Sequence, residues 1–71
     1  MYEFDRARFE YLSKAAGLSP SDIQEALCLS PAAYYARLQG RVIFSVEEAL
    51  MWADLAGAKD EFMTVFKIRT V

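Results

Sequence analysis

Histidine is absent from this 71-residue chain and cysteine occurs once. The commonest general base is therefore missing, as are the ligands of an ordinary zinc site. There is no glycine-rich phosphate loop either, so most catalytic classes fall away, and neither a cofactor nor a metal is expected. Cys28 cannot pair within the chain. Its expected role as a small buried residue suits a reducing, cytoplasmic compartment. No apolar run approaches the roughly 20 residues that cross a bilayer, and the start, Met1-Tyr2-Glu3-Phe4-Asp5-Arg6, lacks the basic and apolar stretches of a signal peptide. A soluble protein without membrane contact is the expectation. An excess of positive charge is also lacking: eight basic residues face ten acidic ones, for a net charge of −2. Indiscriminate nucleic-acid binding is disfavoured, and any DNA contact needs a local cationic face.

What is present is a chain 55% hydrophobic and 14% aromatic, too apolar for disorder and long enough for one domain, residues 1–71. Its punctuation is helical. Phe9, Leu12 and Ala16 recur at helical spacing after Asp5, a potential N-cap, and Gly17 can close the helix in the left-handed conformation. Leu18-Ser19-Pro20 returns eleven residues later as Leu29-Ser30-Pro31; in each, serine can cap a helix whose first residue is a proline with no N–H to lose. Helices are expected from Pro20 to Leu27, with Ile23, Ala26 and Leu27 inward, and from Pro31 to Gln39, with Tyr34 and Leu38 inward. Gly40 ends the latter. Ser45-Val46-Glu47-Glu48 forms a capping box for a fourth helix that stops at Gly57. Its predicted inner side carries Val46, Ala49, Leu50 and Ala53, with Met51 and Trp52 also read as core residues.

The tail is mixed. Residues Asp60 to Met63 suit one more helical turn, whereas Phe66-Lys67-Ile68-Arg69-Thr70 alternates as a half-exposed strand does. Met1 to Phe4 alternates too, so the two ends are candidates for a small antiparallel ribbon.

Two short capped helices three residues apart, between flanking helices, make a helix-turn-helix arrangement. The run Gly17-Leu18-Ser19, then Ile23 to Pro31, then Tyr34-Tyr35-Ala36-Arg37-Leu38-Gln39-Gly40-Arg41, resembles the helix-turn-helix of phage repressor and Cro proteins, the XRE-like regulators. Phe44-Ser45, Glu47-Glu48-Ala49 and Leu55-Ala56-Gly57 resemble the fourth helix of that class and its cap. The resemblance implies an all-α, four- to five-helix lambda-repressor-like domain with a helix-turn-helix core at about residues 19–40, to which the alternating tail adds a short C-terminal strand. Three positions depart from it. Cys28 stands where a turn glycine is usual, Gln24 replaces a small alanine, and Gln39 replaces an asparagine. A non-glycine residue at positive φ has a steric cost, so a reshaped turn is expected at Cys28.

With Tyr34 and Leu38 inward, Ala32, Ala36 and Gln39 point outward and Tyr35 and Arg37 lie on the flanks. The alanines offer contact only with thymine methyls, Gln39 suits adenine, and Tyr35 can reach a phosphate. A solvated glutamine and a half-buried tyrosine are the competing readings. Between Cys28 and Val46 the charges are Arg37 and Arg41, with no acid. The resemblance puts a phosphate contact at Arg41 and implies a DNA-facing set of Ser30, Pro31, Ala32, Tyr35, Ala36, Arg37, Gln39 and Arg41. Two arginines per copy bind DNA weakly, so a homodimer on a double-stranded operator is expected.

Val42-Ile43-Phe44 is an apolar run in a loop, and only part of it can face inward. With Phe44 read as core, Val42 and Ile43 become candidate interface residues, joined by Phe66 and Ile68 in the tail. The resemblance implies a phage-type transcription regulator in the bacterial cytoplasm; the alternative, favoured by the acidic composition, the alanine face of the third helix and the apolar loop, is a helix-turn-helix scaffold that binds a protein, as an antirepressor or an inhibitor of a host factor.

Overall fold

The computed structural model describes residues 2–61 and 65–68. The order is β1 (Tyr2–Phe4), α1 (Arg6–Ala15), α2 (Pro20–Leu27), α3 (Pro31–Leu38), α4 (Val46–Ala56), a 3-10 turn (Lys59–Glu61) and β2 (Phe66–Ile68). Among the described residues α1 to α4 dominate, and β1 pairs antiparallel with β2 in the register Tyr2 to Ile68, Glu3 to Lys67 and Phe4 to Phe66. The ribbon expected from the alternating ends is present. Met1, Phe62, Met63, Arg69 and Thr70, which the expected ribbon and extra turn included, lie outside the described residues, as does the Ile68 side chain.

Each helix starts where a polar side chain can accept an orphan backbone N–H. Asp5 accepts from Arg8, Ser19 from Asp22, Ser30 from Ala33 and Ser45 from Glu48; the Ser19 and Ser45 caps are closed reciprocally by Asp22 and Glu48. The buried set is aromatic at its centre. Phe9 stacks on Trp52 at 4.6 Å, and Phe44 and Phe66 meet edge-on at 5.4 Å. Ile23, Leu27, Tyr34 and Leu38 extend this core into the two short helices. At 0.5–1.5 kcal/mol beyond area burial for a good aromatic pair, such a cluster is a large share of the stability of a domain this small.

Several expected positions turn out differently. In α4 the buried residues are Ala49, Trp52 and Ala53, whereas Val46, Leu50 and Met51 are exposed. The helix is rotated about its axis so that the Trp52 indole stacks on Phe9 and donates its N–H to Ser13, while Ala49 and Ala53 beside it allow close approach to the rest of the core. Ala16 is exposed as the cap residue closing α1, and the buried residue of that helix besides Phe9 is Ser13. Phe66, expected at an interface, is 1% exposed and packs on Phe4, Phe9, Phe44 and Trp52. The ribbon brings it inward, since the side chains of a strand alternate between faces. Cys28 is exposed rather than buried, because it sits past the last residue of α2.

Candidate nucleic-acid interface

The connection between α2 and α3 begins at Cys28, whose φ of 57° and ψ of 40° are left-handed. Leu29 donates its backbone N–H to the Gln24 carbonyl at 2.8 Å, and Cys28 donates to Glu25 at 3.3 Å, the two bonds of a Schellman closure. The same pattern follows the other helices: Leu18 to Ser13 and Gly17 to Lys14, Arg41 to Ala36 and Gly40 to Arg37, Ala58 to Ala53 and Gly57 to Asp54. The expected reshaping of the turn is therefore absent. Cys28 takes the conformation its glycine counterparts take, and local strain of about 1 kcal/mol replaces a change of path.

This turn delivers Ser30 to the cap of α3 and sets Tyr34 and Leu38 against the core, 2% and 5% exposed. Ser30, Pro31, Ala32, Tyr35, Gln39 and Arg41 are exposed, and Ala36 is half-buried. Tyr35 leans edge-on against Tyr34 at 5.2 Å, so its ring is held while part of it remains in solvent. Burial, reinforced by Tyr35 and Glu10, pushes the Tyr34 phenol up to about 12, which keeps it neutral.

Arg37 is withdrawn from this surface. Its Nε and Nη2 donate to the two carboxylate oxygens of Glu48 at 3.0 and 3.2 Å, and Nη1 donates to the Ala33 carbonyl at 3.0 Å. The guanidinium clamps α3 to α4 and has little left to offer a phosphate. Burial pushes the Glu48 carboxyl up, but the hydrogen bonds from Arg37 and from the Ser45 backbone outweigh it and hold the group below its ordinary value. The capping role of Glu48 was readable from Ser45-Val46-Glu47-Glu48; its bond to Arg37, eleven residues away, had no sequence signal. Arg41, by contrast, makes no ion pair among the described residues.

Among the described residues no group of three or more His, Cys, Asp or Glu side chains is placed to hold a metal ion, and no helix is long and apolar enough to cross a membrane. Val42 and Ile43 are both exposed after Phe44 has turned into the core. Comparison with protein-family models, with curated proteins and with solved structures gives no match.

Proposed function

We propose that this chain is a lambda-repressor-like, sequence-specific DNA-binding regulator of phage or prophage type. It acts in the bacterial cytoplasm and binds a pseudopalindromic operator as a homodimer, with α3 in the major groove. The single observation that carries this reading is the α2–turn–α3 unit itself: two capped helices joined through Cys28, with the outward side of α3 lined by Ala32, Tyr35, Gln39 and Arg41 and free of acids from residue 28 to 46. Ser30 and Pro31 begin that surface where the helix meets the phosphate backbone. Base readout is sparse: Gln39 toward adenine and the alanines toward thymine methyls. Regulation follows from occupying the operator and occluding it.

A second reading, a helix-turn-helix scaffold that binds another protein, is favoured by the exposed Ile43 and by the commitment of Arg37 to Glu48. Binding to the DNA flanking the gene, measured by fluorescence anisotropy at two salt concentrations, separates the two. In the DNA reading Arg41→Glu weakens every sequence, Gln39→Ala mainly alters preference, and Arg41→Ala lowers the magnitude of the salt slope by about one per subunit. Absence of salt-sensitive binding by the wild type refutes the reading.

A further inference from the structure

We infer that the cavity between α1, α2 and α3 is a binding site for a small zwitterion with an apolar side chain, a free aliphatic α-amino acid of about the size of leucine. The inference goes beyond operator binding and does not depend on it. The cavity holds about 230 Å³. That is below the roughly 300 Å³ at which drug-sized pockets begin, and at about 30 Å³ for each water-sized group it takes a molecule of about eight or nine non-hydrogen atoms. Its floor is apolar: Ile23 is buried in α2, Leu18 is half-buried in the preceding loop, and Pro20 adds its ring at the start of the helix.

The polar groups around that floor are left partly unused by the protein. Tyr34 is 2% exposed, yet its hydroxyl makes no hydrogen bond among the described residues. A buried donor without a partner is uncommon and costs stability until something fills its place. The charges of Glu10 and Arg6 both act on this phenol, so the polar end of the ring lies at the α1 side of the cavity, beside Glu10. One carboxylate oxygen of Glu10 accepts from Arg6 Nε at 2.9 Å, which steadies the group and leaves the second oxygen for a ligand. Lys14, one turn further along α1, also lines the cavity and makes no ion pair among the described residues.

These groups set the chemistry of the occupant. Glu10 accepts from an ammonium group, while Tyr34 and Lys14 donate to a carboxylate. Glu10 and Lys14 are four residues apart, about 5–6 Å between Cβ atoms, a span that the two charged groups of one α-amino acid bridge. Its side chain then lies on Ile23, Leu18 and Pro20, out of water. A molecule bound in this way touches α1 and both helices of the turn, and it holds Tyr34, which anchors α3 to the core.

Titration of the isotope-labelled full chain with leucine, in the absence of DNA, tests the inference through its amide shifts. The expected result is a saturable change centred on residues 10–23 and 34, with a Kd of about 1 mM or tighter. Isocaproate, which is leucine without its ammonium group, and isoamylamine, which is leucine without its carboxylate, should each bind at least ~10-fold more weakly. Tyr34→Phe should raise the Kd ~10-fold while leaving Tm unchanged or higher, because the hydroxyl it removes has no partner in the free protein. Lys14→Met, at an exposed position, should raise the Kd ~3-fold. Should Tyr34→Phe lose its native spectrum, Glu10→Gln, also exposed, takes its place with the same ~3-fold expectation. No saturable change at about 10 mM, changes confined to other residues, or analogues and variants that bind like leucine and the wild type would overturn the inference. No DNA enters the titration, so its outcome and that of the operator reading are separate.

Discussion

Ser13→Ala removes one oxygen from the middle of α1 and should destabilise the whole domain. Ser13 is 4% exposed; its hydroxyl donates to the Phe9 carbonyl at 2.8 Å and accepts the Trp52 indole N–H at 2.9 Å. Trp52 is fully buried, so without Ser13 that N–H has no acceptor and no route to water. Leaving a buried donor unmade costs about 1–3 kcal/mol. Against this stands a gain of about 0.5 kcal/mol, because alanine is the better helix former in place of a serine that competes for backbone bonds. The net loss is about 1–2 kcal/mol, which in a domain of this length lowers Tm by roughly 5–15 °C. Thermal and urea unfolding followed by circular dichroism and by the fluorescence of the sole tryptophan measures it at the site concerned. A change in Tm under about 2 °C would refute the reasoning. The same substitution in a Trp52→Phe background sharpens the test, since no indole is then left unpaired and Ser13→Ala should become neutral or slightly stabilising. An undiminished cost there would show that Ser13 acts through the Phe9 carbonyl instead.

Cys28→Gly should stabilise the domain by up to about 1 kcal/mol in urea unfolding, because the left-handed position loses its Cβ cost and an exposed thiol leaves no cavity; a clear destabilisation would contradict it. Glu48→Gln should cost about 1–2 kcal/mol at neutral pH by weakening the bond to Arg37, with Arg37→Ala non-additive with it. Because the Glu48 carboxyl is held below its ordinary value of 4.5, its contribution is complete above that pH and is lost as pH falls through the depressed folded value. The stability gap between wild type and Glu48→Gln should therefore narrow toward pH 3, and a gap that widens with acid would reverse the assignment. On DNA, Arg37→Ala should leave the salt slope nearly unchanged while Arg41→Ala lowers it, since Glu48 already occupies the Arg37 guanidinium; equal effects would mean that the clamp opens on binding.

The starts and stops of α1 to α4 were legible in the chain, because caps and left-handed closures are made between residues two to five positions apart. Asp5, Ser19, Ser30 and Ser45, and Gly17, Gly40 and Gly57, each act on groups of their own turn. The inward sides of α2 and α3 were legible too: Ile23 and Leu27 are the largest apolar residues of α2, and in α3 Tyr34 has Leu38 four residues on, whereas Tyr35 has the polar Gln39 at that spacing. In α4 more than one side is apolar enough to be buried: Val46, Leu50, Met51 and Leu55 compete with Ala49, Trp52 and Ala53. The choice fell to the side that could stack Trp52 on Phe9 and give its N–H to Ser13. That decision depends on residues 39 and 43 positions away, beyond the reach of any local pattern. The Arg37–Glu48 clamp and the inward turn of Phe66 belong with it. Bonds within one turn are encoded where they form, whereas the face a helix buries and the arginine it withdraws from solvent are set by whatever packs opposite once the chain has closed.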